Sequence, residues 1–386
     1  MLEESLFQRR TLRSILRGAL RYVFGKRGKR RVHGWRLFYR LRYEFVLHSS
    51  ASMERFRRIH QARVWVDREA FPRIRKLLLR SRHTVVIQMF IWKDDRLGRR
   101  MAETLLRIAD RGVSVDITKE AVGDLFELHQ DFITTRESPD PLWRRFWTHP
   151  MIRITYDQHN DHAKVYIIDE RILLLTGMNI ADEYEHWHDY LVELRGRAFV
   201  EHYLTHGDLR APAGNASLVM NADDRREIRP VVTQLLRNAK RSIVVEHCYV
   251  ADPAMLDLLI AKSHERVRVR IILPEHPDVH SHTNMQSVAR LLSEGKAGFL
   301  DVYLFPGMFH GKIVIVDHAR AFLGSANLIT SSLDEMGEVN VLLEGKRQQA
   351  LLHLREILRA DILRSRPLSG VPSLSWIGRW LAWLQL

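Results

Sequence analysis

Apolar positions along the chain fall into short runs, and each run has a counterpart further on. Residues 83–91 (HTVVIQMFI) and 241–250 (RSIVVEHCYV) both read as buried strands. A helical stretch follows each one, at 97–111 and 253–264. A turn and a further strand come next, at 111–118 and 266–273. Later in each half, Val165-Tyr166-Ile167-Ile168 and Ile313-Val314-Ile315-Val316 are wholly apolar and predict two more buried strands. Ile172–Leu175 and Ala321–Leu323 predict the strands after those. Strands alternating with helical stretches imply an α/β fold with a largely covered sheet. The repeated order divides the body into two copies of one unit, 60–205 and 215–350.

The two ends follow other patterns. Leu12, Ile15, Leu16, Ala19, Leu20 and Val23 recur at helical spacing, with Arg10, Arg13, Arg17 and Arg21 on another face. Such a helix lays its apolar side at a bilayer interface while its arginines reach lipid phosphates. Lys26-Arg27-Gly28-Lys29-Arg30-Arg31 then precedes Trp35, Leu37, Phe38, Tyr39 and Leu41, a mixture suited to the headgroup layer. Residues 1–50 are therefore read as a basic amphipathic membrane-binding arm. A nucleic-acid arm and a targeting peptide are the alternatives, although Glu3 and Glu4 fit a presequence poorly. At the other end, residues 367–386 form a tail with Trp376, Trp380 and Trp383, the residue favoured at membrane interfaces. A terminal helix docked on the body is the competing reading of that tail.

Composition sharpens this picture. The 386 residues suffice for two ordinary domains, and 46% hydrophobic with 27% charged residues is the balance of a folded globular chain. The net charge is +14, and residues 5–43 hold 13 Lys/Arg with no Asp or Glu. The excess charge thus sits in the arm, on an otherwise near-neutral body, and asks for an anionic partner. The single cysteine, Cys248, excludes an internal disulfide framework and a Cys-based zinc site. No run approaches the 18 uninterrupted apolar residues of a transmembrane helix.

The candidate chemistry is duplicated as well. His162-Ala163-Lys164 is followed by Asp169 and Asn179, and His310-Gly311-Lys312 by Asp317 and Asn327, with identical offsets of +2, +7 and +17 from the histidine. Each His-x-Lys opens a predicted strand, whose period of two turns both side chains to one side. Thr176-Gly177-Met178-Asn179 and Gly324-Ser325-Ala326-Asn327 are loops suited to close approach by an oxyanion. Two histidines, two lysines and two asparagines converging across a pseudo-twofold axis make a phosphate site. Lys164, Lys312, Asn179 and Asn327 would bind the non-bridging oxygens. One imidazole would attack phosphorus while the other protonates the departing alcohol. The residues alone do not choose which histidine attacks. No grouping with metal-ligand spacing accompanies the motif, so the exchange is expected to need no metal and no cofactor.

The duplicated His-x-Lys-x4-Asp pattern with Gly-Ser-x-Asn resembles that of the phospholipase D superfamily. The stretch Thr176–Tyr184 with Trp187-His188-Asp189, and Gly324–Leu328 with Glu338-Val339-Asn340, are most similar to bacterial cardiolipin synthases of the type without N-terminal transmembrane helices. This resemblance covers about residues 60–350. It implies two pseudo-twofold-related α/β/α halves with the active site at their junction, and a phosphohistidine intermediate. It makes His162 the nucleophile and His310 the general acid, then base. Asp189 and Glu338 resemble the carboxylates that orient the histidines. Asp169 and Asp317 belong to the motif's catalytic set, but are expected to brace it rather than touch substrate. Thr176 departs from the family's glycine, and 121–150 and 274–299 match weakly. His159, Asp161, His186, His280 and His282 are given ordinary surface roles.

The implied reaction makes cardiolipin from phosphatidylglycerol and releases glycerol. A hydrolytic phospholipase D and a nuclease of the same motif are the alternatives. The implied partner is an anionic phospholipid membrane carrying phosphatidylglycerol, with no nucleic acid. The implied place is the bacterial cell membrane, peripherally on its cytoplasmic face. An oligomer is not required to complete the site.

Overall fold

A computed structural model describes residues 61–121, 123, 140–157, 161–205, 215–222 and 225–372. The basic arm, the tail tryptophans, His159 and most of 121–150 lie outside the described residues.

In the first half, β1 (Gln61–Val66) leads through a 3₁₀ turn (Asp67–Glu69) to α1 (Ala70–Leu78). Then come β2 (Thr84–Met89), α2 (Arg96–Ala109), β3 (Ser114–Glu120), α3 (Pro141–Thr148) and β4 (Ile152–Asp157). β5 (Lys164–Ile168), β6 (Ile172–Thr176), β7 (Tyr190–Arg195) and α4 (Arg197–Leu204) complete it. The second half starts with β8 (Ala216–Ala222), β9 (Arg225–Arg226), α5 (Ile228–Arg237), β10 (Ser242–His247), α6 (Pro253–His264) and β11 (Arg268–Pro274). It continues with α7 (Ser281–Glu294), β12 (Leu300–Phe305), β13 (Lys312–Val316), β14 (Arg320–Gly324), α8 (Thr330–Asp334) and β15 (Glu338–Glu344). α9 (Gln349–Arg364) and β16 (Arg366–Pro367) close it.

Each half builds one sheet. The first has the order β1-β7-β6-β5-β2-β3-β4, and the second contains the same arrangement as β8-β15-β14-β13-β10-β11-β12, extended by β9 and β16. The central parallel strands β2-β3-β4 and β10-β11-β12 are joined through helices, and the remaining ladders are antiparallel. Even the helix starts are shared. Asp95 caps α2 by accepting from Gly98 N at 2.8 Å, and Asp252 caps α6 by accepting from Met255 N at 3.0 Å.

The sheets pack on each other, and the period of two along each strand decides what goes where. Val165 and Ile167 of β5, with Ile313 and Ile315 of β13, enter one core between the two sheets, together with α4 and α9. Tyr166 and Ile168 point the other way, into a core under α1–α3. Val314 and Val316 do the same under α5 and α6. The result is a layered α/β/β/α body in which strands β5 and β13 are buried on both faces, as their apolar runs require.

The hairpins β5-β6 and β13-β14 turn through Asp169-Glu170 and Asp317-His318, all four with φ between 51° and 55°. Arg171 N donates to Ile168 O, and Ala319 N to Val316 O, so these are tight turns with two left-handed residues, a conformation Asp tolerates. Asp169 accepts from the backbone N–H groups of Arg82, His83 and Thr84, at 2.8–3.2 Å. Asp317 does the same for Lys240, Arg241 and Ser242, at 2.7–3.2 Å. Both carboxylates stand at the far end of a five-residue strand from the lysine, roughly 15 Å away. Their grouping with the catalytic residues is therefore corrected: they fix the hairpin onto the start of β2 or β10. Burial would raise the Asp317 pKa, but those backbone donors outweigh it and hold the carboxyl below its usual value. Asp317→Ala should cost roughly 2–4 kcal/mol of stability in urea unfolding at neutral pH. A loss below 0.5 kcal/mol would contradict the bracing role.

Candidate active site

The two halves meet where each His-x-Lys segment begins. Residues 161 and 337 form a parallel bridge, as do 188 and 309. His162 N donates to Gly337 O at 2.7 Å, and His310 N donates to His188 O at 2.8 Å. Each histidine is thus hung on the backbone of the opposite half, one residue before that half's carboxylate.

The side chains repeat this exchange. His162 Nδ1 lies 3.0 Å from Glu338 Oε1, and His310 Nδ1 lies 2.9 Å from Asp189 Oδ2. Neither carboxylate serves the histidine of its own half. Glu338 Oε1 also accepts from Ser332 Oγ at 2.9 Å, and Asp189 Oδ1 accepts from Tyr190 N at 2.7 Å. Both carboxylates are buried. Their aim is set where β7 and β15 begin, Asp189 just before the one and Glu338 as the first residue of the other.

Lys164 and Lys312 are also buried, which is rare for lysine. Lys164 Nζ donates to His162 O at 2.7 Å, and Lys312 Nζ donates to His310 O at 2.8 Å. Lys312 Nζ further lies 3.1 Å and 3.2 Å from the two ring nitrogens of His310. Asn179 Oδ1 accepts from Ile91 N at 3.0 Å and its amide donates to Tyr184 OH at 2.7 Å. Asn327 Oδ1 accepts from Cys248 Sγ at 3.0 Å. The loops before them are close-packed. A Cβ on Gly177 would meet Asp189 Oδ2 at 2.7 Å and His310 Nδ1 at 3.2 Å, so glycine is what lets this pair form. Thr176, the departure from the resembled pattern, is absorbed: its Oγ1 donates to Tyr190 O at 2.8 Å and accepts from Met178 N at 3.1 Å.

Aromatic rings enclose the histidines. Phe90 stands edge-on to His162, with centroids 4.9 Å apart. Tyr184, Trp187 and Tyr249 surround His310 at 5.5, 5.9 and 6.5 Å. The Tyr249 hydroxyl donates to Asp278, and His280 packs on the Tyr249 ring. His280 therefore stands behind a wall of the site, whereas Asp161 bridges the halves through its backbone, His186 is exposed and His282 lies on α7. Tyr184 and Trp187 belong to the sequence stretches already singled out, and Phe90 and Tyr249 to the ends of the counterpart strands 83–91 and 241–250, whereas Asp278 lies in the weakly matching stretch 274–299.

Burial governs the protons. It lowers the His162 pKa, reinforced by Lys164, and Glu338 opposes this without reversing it. It lowers His310 well below its usual value, with Lys312 adding to the effect. The Lys164 ammonium is likewise pushed down, by burial first. Burial would raise Glu338, but His162 and Lys164 outweigh it and keep the carboxyl ionised. Asp189 is pushed up to about 7 by burial, against the pull of Lys312. A neutral His162 whose Nδ1–H faces an ionised carboxylate keeps its Nε2 lone pair free.

The topology and this site are those of the phospholipase D class. Both halves match the family described as cardiolipin synthase, PLD-like domain, over residues 74–207 and 232–362, and the chain belongs to that family. Among relatives, the chain is 27% identical over 311 residues to the major cardiolipin synthase of Bacillus subtilis, covering 72% of this chain and 64% of that protein. It is 23% identical over 326 residues to cardiolipin synthase B of Shigella flexneri, covering 75% and 78%. It spans less than two thirds of the Bacillus relative's length. The fold is also that of the Haemophilus influenzae phosphatidylserine synthase crystal structure, with a TM-score of 0.65 at 13% identity over 85% of this chain and 94% of that one.

Gly177→Ala should leave the chain folded and lower turnover by roughly 10²-fold or more, because the new methyl displaces the His310–Asp189 pair. Steady-state kinetics beside a circular dichroism melt check this, and unchanged turnover would contradict the close packing.

Proposed function

We propose that the protein is a membrane-surface phosphatidyltransferase that makes cardiolipin from phosphatidylglycerol. The observation that carries this reading is the pair of crossed histidine–carboxylate contacts beside two buried lysines, in a chain of the cardiolipin synthase family.

His162 Nε2 attacks the phosphorus of one phosphatidylglycerol, and the P–O bond to its terminal glycerol breaks. His310 gives its proton to that glycerol oxygen, so free glycerol departs and a phosphatidyl group remains on His162. His310 then takes the proton from a glycerol hydroxyl of a second phosphatidylglycerol. That oxygen attacks phosphorus, the P–N bond breaks, and cardiolipin leaves. Lys164 and Lys312, with the amides of Asn179 and Asn327, hold the non-bridging oxygens as charge builds on them.

The two pairs differ in a way that supports this division of roles. Glu338 stays ionised and orients His162 through Nδ1, while burial and Lys164 keep that imidazole neutral. The His310–Asp189 pair, with Asp189 titrating at about 7, holds a proton near neutral pH, as a general acid must. The aromatic ring of Tyr184, Trp187 and Tyr249 limits water around His310 and favours transfer over hydrolysis. No helix among the described residues is long and apolar enough to cross a membrane. In this reading the basic arm of residues 1–50 and the tail tryptophans hold the enzyme on the anionic bilayer, at the cytoplasmic face.

Incubating the purified chain with vesicles of labelled phosphatidylglycerol should yield cardiolipin and free glycerol. His162→Ala and His310→Ala should each abolish both products. Phosphatidic acid alone would make the protein a hydrolase, and turnover of DNA without turnover of lipid would make it a nuclease.

Because the His162 pKa is lowered, the acid limb of transfer should lie below pH 6.5, where that imidazole takes up a proton, and the alkaline limb should follow loss of the proton held by the His310–Asp189 pair. Glu338→Gln should cut kcat by roughly 10²–10⁴-fold and move this acid limb to still lower pH, since Glu338 is the group that raises His162. A pH–rate profile checks both, and an unmoved limb at full rate would contradict the pairing.

A further inference from the structure

His188 touches the site only through its backbone, and its ring faces a separate buried cluster. Its Nε2 lies 3.5 Å from Glu246 Oε1 and 3.3 Å from Asp361 Oδ2, and the three side chains are 6%, 0% and 2% exposed. One ligand atom from each lies within 4.8 Å of the other two. These groups come from three places: the approach to β7 in the first half, β10 in the second, and α9.

Two features of this cluster point to a cation. First, Glu246 Oε2 and Asp361 Oδ2 are buried oxygens with no hydrogen-bond partner. Glu246 Oε1 accepts from Tyr190 OH at 2.6 Å, and Arg364 approaches Asp361 only through Oδ1, at 3.5 Å. A single N–H on Nε2 cannot serve the remaining oxygens, and leaving them without donors in the interior is costly. Second, His188 Nδ1 lies 2.7 Å from Asp67 Oδ1. A carboxylate on the far ring nitrogen orients the ring as metal-binding imidazoles are oriented, and the proton that Nε2 shares with the Tyr190 hydroxyl and the two carboxylates is the one an ion would displace.

The two separations from His188 Nε2 fit a particular coordination. Tetrahedral zinc at about 2.0–2.1 Å from N and O ligands keeps those ligands roughly 3.3–3.4 Å apart. The two measured separations from Nε2 bracket that figure. One imidazole with two carboxylates is also a donor set that divalent first-row ions accept, and two carboxylates match the ion's charge.

We propose that His188 Nε2, Glu246 and Asp361 bind one divalent metal ion of the zinc class, oriented by Asp67, at a structural site that ties α9 to both sheets. The ion stands off the reacting atoms, so the phosphoryl chemistry of His162 and His310 does not run through it. The Tyr190 hydroxyl stands beside the cluster, 2.9 Å from His188 Nε2.

The test uses the full chain without an affinity tag. Elemental analysis after purification, then Zn²⁺ titration of chelator-treated protein by calorimetry, should give one equivalent per chain. At a 100-fold excess over Kd the melting temperature should rise by about 3 °C. Glu246→Gln and Asp361→Asn should each remove that equivalent, and Asp67→Asn should weaken it roughly 10–100-fold. X-ray absorption of the wild-type zinc form should show one imidazole nitrogen among oxygen ligands, a readout that needs no variant to fold. Absence of binding at 100 µM Zn²⁺ would overturn the proposal (a concentration roughly a thousandfold above a modest structural Kd). So would binding that survives both ligand substitutions, or a spectrum with several imidazoles.

Discussion

Each histidine of the motif is held by the other half of the molecule, and this crossing is the constraint on which the rest of the structure depends. His162 takes both its backbone acceptor and its carboxylate from residues 337 and 338, and His310 takes its own from 188 and 189. Neither half alone could orient its imidazole. The sheets must therefore sit in one fixed register, and the apolar core between them provides it, with β5, β6 and β7 packed on β13, β14 and β15. Strands buried on both faces leave little freedom to slide, because a shift of one residue would turn lysine and histidine to the wrong side.

The same burial sets the chemistry. Two lysines, two histidines and two carboxylates share a volume with little access to water. In such surroundings every charge depends on its neighbours. The halves are alike in fold but not in protonation. Glu338 faces His162 and a hydroxyl from Ser332 and remains a carboxylate, whereas Asp189 is pushed up to about 7. In the proposed reaction a duplicated scaffold thereby serves two different roles, a nucleophile on one side and a proton carrier on the other.

Much of this is legible along the chain, because the repeat writes it twice. The strand pairs after each His-x-Lys, the helices after 83–91 and 241–250, and the α/β class follow from apolar runs and their period. The carboxylates Asp189 and Glu338 also stand at matching places, 10 and 11 residues past their asparagines. What one dimension does not carry is their crossing, since spacing within a half says nothing about the partner across the axis. The Asp of each motif is the opposite case. Its place in the repeat resembles a catalytic one, yet a left-handed turn and three backbone donors account for it. Residues that meet from scattered positions, such as His188, Glu246 and Asp361, leave no periodic trace.

The central claim is that His162, made nucleophilic by Glu338 of the opposite half, carries the phosphatidyl group between donor and acceptor. A direct measurement is to mix the enzyme with phosphatidylglycerol labelled with ³²P, quench within milliseconds at alkaline pH, where a P–N bond survives, and map the labelled peptide by mass spectrometry. The account predicts the label on His162, with none on His310. Label on His310, or turnover with no covalent adduct at either histidine, would contradict it.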